Sequence, residues 1–406
     1  MQLMRIQTAS LFALACFSLP LTAQATHAVG MLDGTWVNPT TAGTPSIHAR
    51  IYYPAVQSGV GTDVEPSSSG WPTIVFLHGY GMMGSDYGEL GGHLAKSGFA
   101  VVMLDTARFD YIALERDALA MHAILDWENE HGHQFRGAFD MDNMGVLGHS
   151  MGGGVAGLVC VDDSVHPNPG FKVGLAIAPV FPGPLVTLIR TPFGVLSGEG
   201  DPVTVEALHA EPFFDGLHPA SGLKFHYSMG PACDHDSIVG INVVGGQVDQ
   251  AVFSRSRKVA TGFFRHFLAR DPLGLHEVFG SPALEDANFD EVRRQAALPQ
   301  AWADSLMRIG TPTRLSFTSE DGFGAMVASL GGVATPIATV LGELVLDPGS
   351  MFTITETIIT GQQLDVLMVL PYDASLVGLT FSLQGIGTTP TQQLRLGSPL
   401  TITIQP

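Results

Sequence analysis

The chain has 406 residues, of which 45% are hydrophobic and only 14% charged, and it carries a formal net charge of −19 at pH 7. That acidity argues against nucleic acid or an anionic membrane surface as a partner, because both repel a polyanion. No apolar run beyond residue 25 is long enough to span a bilayer. The length exceeds the needs of one domain, and the composition changes near residue 300. The expected organisation is a leader over 1–25, a first domain over 26–300 and a second over 301–406.

Met1 to Arg5 gives a short positive start, Leu11 to Leu21 an apolar run, and Ala23-Gln24-Ala25 a small-residue cleavage pattern. These residues read as a secretory signal, so the protein is expected to be secreted, to the extracellular space or the periplasm. Cys16 falls inside the run, but the leucine that a lipidation site needs three residues earlier is absent.

Ser46 to Tyr53 alternates as an early strand, Thr73 to Leu77 is an apolar strand ending in His78-Gly79-Tyr80-Gly81, and Ala100 to Leu104 is a buried strand. Ile112 to Glu130 has helical periodicity, with Leu114, Ala118, Met121 and Leu125 along one side. His131 and His133 follow in a polar loop and read as solvated, a weak metal pair being the alternative.

Met144 to Leu147 then forms a short strand running into Gly148-His149-Ser150-Met151-Gly152, and Gly153 to Leu158 can open a helix. This is the strand, turn and helix setting in which G-x-S-x-G presents a serine nucleophile. Such a serine needs a base to take its proton and an acid to orient that base. In this arrangement the partners follow in the order serine, acid, histidine, each on a loop after a later strand.

Phe193 to Ser197 reads as a buried strand, and the turn Gly198-Glu199-Gly200-Asp201-Pro202 places Asp201 just past its end. Asp201 is the expected acid, with Glu199 as its rival. Leu223 to Tyr227 alternates as a strand and leads to Cys233-Asp234-His235-Asp236. His235 is the expected base; His226, inside that strand, is the rival. The oxyanion donors are expected to be the Met151 N–H, following the nucleophile, and the Tyr80 N–H, with the Tyr80 ring as a cleft wall.

Val252 to Phe267 is expected to be a helix packing Phe263, Phe264 and Phe267 inward, and Leu284 to Ala303 a helical bridge. Past Gly310 the pattern turns to short strands, among them Phe352 to Ile358, Leu367 to Leu370 and Leu400 to Ile404, separated by Gly, Pro, Asp and Ser. That portion has no tryptophan and no lysine, so neither an aromatic platform for sugars nor a basic patch is evident. A spacer, a surface-retention module or contact with a polymer or cell surface are its open roles. The fold class is therefore α/β, a mostly parallel sheet with helices on both faces, followed by a small all-β domain. No cofactor or metal motif rises above chance.

His78-Gly79-Tyr80-Gly81, the run from Gly148 to Gly154, the Gly200-Asp201 turn and the late His235 together resemble the α/β-hydrolase family. More narrowly, residues from about 45 to 270 are similar to bacterial cutinases and polyester hydrolases, including poly(ethylene terephthalate) (PET) hydrolases, and to dienelactone-hydrolase-like esterases. The resemblance implies Ser150 as nucleophile, His235 as base, Asp201 as acid, and Tyr80 and Met151 as oxyanion donors and cleft walls. The chain departs from those polyesterases in having Ala178-Pro179-Val180-Phe181 where they carry a tryptophan, and His78-Gly79 where they usually have Pro-Gly. Dehalogenases and epoxide hydrolases of this scaffold use aspartate at the elbow and dienelactone hydrolases cysteine, so serine points to acyl transfer.

About fifteen residues separate the strand Val173 to Ala178 from Phe193, too few for a helical cap. The expectation is a secreted serine carboxylic-ester hydrolase with an open cleft, acting on ester or polyester substrates. An amidase or peptidase of the same fold, or a noncatalytic surface-binding protein, are the alternatives. Cys160 and Cys233 either pair across the nucleophile helix and the histidine loop or remain separate thiols.

Overall fold

The structure is a computed structural model that describes residues 26–406 apart from 41, 44, 162–169, 220, 243–247, 281–282 and 284–288. The expected secretory signal, with Cys16, lies outside the described residues.

Ten described strands form the central sheet: β1 (Ala28–Trp36), β2 (Ile47–Ala55), β3 (Gly59–Val60), β4 (Trp71–Leu77), β5 (Ala100–Leu104), β6 (Phe139–His149), β7 (Phe171–Ile177), β8 (Phe193–Gly198), β9 (Lys224–Met229) and β10 (Phe289–Gln295). Their spatial order is β10-β9-β8-β7-β6-β4-β5-β2-β1-β3. The stretch from β5 to β9 is parallel throughout, while β2 and β10 join its two edges antiparallel.

A parallel sheet covered on both faces needs apolar side chains on both, and β4 supplies them. Val75 and Leu77 enter one core, with residues of α2 (Tyr111–His131), α3 (Met151–Val159) and α4 (Ala210–Gly216). Ile74 and Phe76 enter the other, with α1 (Gly88–Lys96), α5 (Gln250–Leu268) and α6 (His276–Phe279). Helix starts follow local chemistry: the Asp110 carboxylate caps α2 by accepting from Ala113 N–H, and Asp249 caps α5 by accepting from Ala251 and Val252. Phe263 and Phe264 are buried as expected, and Phe267 packs half-buried against Phe263.

Cys160 and Cys233 are free thiols. Cys160 lies in the core on one face of the sheet and Cys233 in the core on the other, so the sheet separates them. Burial pushes the Cys160 thiol up to about 12 and the Cys233 thiol up as well, which keeps both protonated and inert.

The C-terminal part is strand-rich. β11 (Ala301–Ala303), β12 (Pro312–Thr318) and β17 (Gln363–Val369) form one sheet. A second holds β13 (Glu320–Leu330), β16 (Phe352–Ile359), β18 (Thr380–Thr388), β19 (Leu394–Leu396) and β20 (Leu400–Thr403), while β14 (Gly332–Thr339) and β15 (Gly342–Leu346) pair separately. Leu315 and Phe317 from the first sheet meet Met326, Ala328, Leu383 and Ile402 from the second in a shared core.

The stretch expected as a helical bridge is corrected: residues 289–295 form β10, antiparallel to β9, and 301–303 form β11. Residues 284–288 lie outside the described set. Arg, Gln, Ala and Leu in this stretch favour helix intrinsically. The outer edge of β9 overrides them, since its unpaired backbone groups are satisfied by an added strand. The strand period then sends consecutive arginines to opposite faces. Arg293 lies over Phe214, 4.7 Å from the ring centroid, and pairs with Asp215 at 2.5 Å. Arg294 lies over Phe279 at 4.9 Å and donates to Gln362 O at 3.2 Å and Gln363 Oε1 at 2.9 Å. Burial lowers its guanidinium to about 10.

Trp302 follows on β11 yet is buried in the core of the central sheet, so one side chain joins the two parts. Trp302→Ala is expected to destabilise the protein by about 3–5 kcal/mol and to lower a single calorimetric transition that includes both parts. Two separate transitions, with the larger one unmoved, would contradict that coupling.

Candidate active site

Strand β6 ends at His149 and α3 begins at Met151, so Ser150 occupies the turn, at φ 55° and ψ −119°. A non-glycine residue with positive φ is strained, and the surroundings hold it there. Ser150 N–H donates to Ile177 O at 3.0 Å, while its carbonyl accepts from Val180 N–H at 2.9 Å. The flanking glycines are steric necessities. A Cβ on Gly148 would lie 2.0 Å from Gly152 O, and one on Gly152 would lie 2.1 Å from Leu77 O. Both clashes are with backbone, which cannot swing aside.

Asp201 and His235 come from the loops after β8 and β9, neighbouring parallel strands whose ends share one edge of the sheet. His235 Nδ1 lies 2.7 Å from Asp201 Oδ2. Asp201 Oδ1 accepts from the Val203 and Thr204 N–H groups at 2.7 and 3.0 Å, and the Thr204 hydroxyl lies 2.6 Å from Oδ2. Burial alone would raise this carboxyl, but the His235 pairing, the Thr204 hydroxyl and the backbone donor outweigh it and hold Asp201 near 2. Because a carboxylate only accepts, Nδ1 carries a hydrogen, and in the neutral ring Nε2 is the nitrogen that can take a proton. Ser150 Oγ makes no hydrogen bond to His235 in this structure; such contacts often tighten only when substrate is bound.

The rival residues separate clearly. Glu199 is exposed, and the Asp201 carboxylate occupies the side of His235 that an acid would need. His226 Nε2 does meet a serine, Ser197 Oγ at 2.7 Å, with Glu206 Oε1 at 3.6 Å. That set also resembles a triad in composition, but Ser197 and His226 are 1% and 2% exposed within β8 and β9, where no carbonyl could reach them. Burial lowers His226 to about 4, so it is a neutral core histidine.

Met151 follows Ser150 in the chain, and the loop that carries Tyr80 approaches it through Gly79. A Cβ on Gly79 would stand 3.3 Å from the Ser150 Cβ, which puts the loop after β4 directly against the elbow. Met151 N–H belongs to the first turn of α3, where N–H groups have no partner inside the helix. The Tyr80 N–H has no protein acceptor among the described residues. The Tyr80 ring is 66% exposed and packs edge-on against Phe109, 5.2 Å between centroids. His78 is buried with Nε2 2.6 Å from Thr106 O, tying this loop to the one after β5.

Two contributors carried little sequence signal. Thr204 holds both Asp201 oxygens, and its position three residues after the acid is its only mark. Phe109 completes the aromatic wall from a loop with no recognisable pattern. His131, of the weak metal pair, stacks on Trp127 at 5.4 Å and turns Nδ1 to Trp127 O, while His133 is exposed.

Two expectations follow. Gly152→Ala should lower stability by about 3 kcal/mol or more, whereas Gly92→Ala, on open helix surface, should raise it by about 0.5–1 kcal/mol; urea unfolding of the pair checks the contrast, and equal midpoints would refute it. Because folding depresses the Asp201 pKa, the stability it contributes is complete above its unfolded range near pH 4 and disappears as pH falls through about 2. Asp201→Asn should therefore melt below the parent protein at pH 7 and beside it near pH 2; a gap that persists unchanged in acid would show that ionisation is not its source.

Residues 39–237 match the family model described as PET hydrolase-like, a span that includes Tyr80, Ser150, Met151, Asp201 and His235. The chain is 29% identical over 175 residues to bis(hydroxyethyl) terephthalate hydrolase of Streptomyces coelicolor, an alignment covering 39% of this chain and 50% of that one. It is 23% identical over 243 residues to cutinase 2 of Thermobifida cellulosilytica, covering 60% and 80%, and equally identical to cutinase cut1 of Thermobifida fusca, covering 60% and 66%. The chain thus spans about half the length of the first of these relatives and more of the cutinases.

Proposed function

We propose, from the premise that residues 39–237 belong to the PET hydrolase-like α/β-hydrolases, that the protein is a secreted serine carboxylic-ester hydrolase acting on apolar, bulky esters, polyesters among them. The observation that carries this reading is the His235–Asp201 pair at 2.7 Å, with the His235 ring centroid 4.6 Å from that of His149, the residue that precedes a serine held at positive φ. In this reading Ser150 Oγ attacks the ester carbonyl carbon while His235 Nε2 takes its proton. Asp201 keeps the imidazole in the Nδ1–H tautomer and stabilises the imidazolium that forms.

The negative charge that develops on the carbonyl oxygen is met by the N–H groups of Tyr80 and Met151. Collapse breaks the ester C–O bond, and His235 returns the proton to the departing alcohol. A water, deprotonated by the same nitrogen, then attacks the Ser150 ester and releases the acid.

The cleft surroundings support a large apolar substrate. Segment 179–192, where a cap would be inserted, holds only a short 3-10 turn, Pro184–Leu188. Tyr80, Phe109, Val203, the first-turn residue Ile112 of α2, and Leu185 and Leu208 in short 3-10 turns are exposed hydrophobics on the segments that follow β4, β5, β7 and β8, the strand ends from which the site is built. Exposed apolar groups so gathered mark a contact surface. Secretion rests on the amino-terminal residues 1–25, read as a leader.

Hydrolysis of p-nitrophenyl esters from acetate to palmitate, of bis(hydroxyethyl) terephthalate and of a polyester film, by the protein and its Ser150→Ala variant, tests the reading. Expected is activity on short and medium acyl chains and on the aromatic diester, with turnover in the variant lower by about 10⁶. Activity that survives in Ser150→Ala, or hydrolysis of amides in preference to esters, would overturn it.

A further inference from the structure

We propose that Tyr87 and His149 are positioning residues that lock the oxyanion loop, the nucleophile elbow and the His235 loop into one hydrogen-bonded unit; this rests on the serine-hydrolase reading above. His149 occupies the variable position of the elbow, immediately before Ser150, and is 2% exposed. Its two ring nitrogens both have partners. Nε2 lies 2.9 Å from the main-chain carbonyl oxygen of His235, and Nδ1 lies 3.0 Å from the Tyr87 hydroxyl.

The direction of every hydrogen in this chain can be assigned. A carbonyl only accepts, so His149 Nε2 carries a hydrogen and donates it to His235 O. Burial, followed by the nearby His235, drives the His149 pKa far down, so the ring is neutral and Nδ1 is a bare acceptor. The Tyr87 hydroxyl, itself buried and held protonated by that burial, therefore donates to Nδ1. Its oxygen in turn accepts from Gly79 N–H at 3.0 Å. The run is Gly79 N–H to Tyr87 O–H to His149 Nδ1, and His149 Nε2–H to His235 O.

Its ends explain its purpose. Gly79 immediately precedes Tyr80, whose N–H is an oxyanion donor in the proposed mechanism. At the other end the His235 carbonyl belongs to the base itself, whose ring centroid is 4.6 Å from that of His149. The middle member is bonded through the backbone to the nucleophile. Gly79 is also closely packed: a Cβ there would stand 3.1 Å from the Tyr87 hydroxyl, 3.2 Å from His149 Nδ1 and 3.3 Å from Ser150 Cβ, so a side chain would press on all three. Three loops that leave different strands are thus referenced to one buried tyrosine and one buried histidine, neither of which is placed to touch substrate.

Such residues act on geometry, so they should alter turnover and leave binding alone. The experiment measures kcat per active site, calibrated by the p-nitrophenol burst, and KM for a short p-nitrophenyl ester in Tyr87→Phe, His149→Leu and His149→Gln, with melting temperatures. Tyr87→Phe is expected to lower kcat on the order of 10- to 100-fold with KM within about twofold. His149→Leu should lose at least as much, and His149→Gln should recover most of it, because its amide N–H can reach the His235 carbonyl in place of Nε2–H. If Tyr87→Phe fails to fold, the comparison of glutamine with leucine at 149 decides. Wild-type kcat in a folded Tyr87→Phe, or a glutamine variant no better than leucine, would overturn the proposal. Loss of activity in Ser150→Ala alongside either result would leave the serine reading standing, whereas activity retained in Ser150→Ala would remove that reading first.

Discussion

The close approach of α3 to the end of β4 is the constraint on which the rest of the site depends. Gly152 sits so near Leu77 O that no side chain fits between them, and Gly148 is pressed as tightly against Gly152. With β6 hydrogen-bonded between β4 and β7, the backbone at Ser150 has no room to relax from its positive φ. The same contact brings the loop after β4 beside the serine. Ser150 and the loop that carries Tyr80 are therefore registered by backbone packing, before any side chain contributes.

Chemistry gathers at the strand ends because the strands themselves are closed. Ser197 and His226 form as short a hydrogen bond as any triad requires, yet they lie inside a sheet buried on both faces. Asp201 and His235, a few residues further on, leave that interior through loops of adjacent parallel strands and meet at its edge. Thr204 supplies the second constraint there. By bonding to both carboxylate oxygens it leaves Asp201 one orientation and so fixes which histidine nitrogen is free.

The strand-rich C-terminal part is joined to the central sheet by packing as well as by the chain. β10 closes the edge of β9, Arg294 bridges Phe279 and the Gln362 and Gln363 pair, and Trp302 fills the core of the central sheet from the neighbouring part. These contacts make the C-terminal part a buttress for the sheet edge that carries the His235 loop.

What the sequence determined by itself was local. Strand alternation, helical periodicity and the glycine-flanked serine are written in neighbouring residues, so the central strands, α2, α5 and the elbow at Ser150 were legible, as was the order in which Asp201 and His235 follow it. Tertiary structure alone decided what depends on distant partners. The residues of β10 favour helix in isolation and became a strand because β9 offered an open edge. Cys160 and Cys233 differ in face, which spacing cannot encode, and so remain apart. His149 is, in the sequence, only the variable residue of the elbow, and in the fold Tyr87 and the His235 carbonyl close on its two nitrogens. Hydrogen bonds between residues 62 and 86 positions apart leave no periodic trace in a chain, because their geometry exists only once the sheet has brought three loops to one edge.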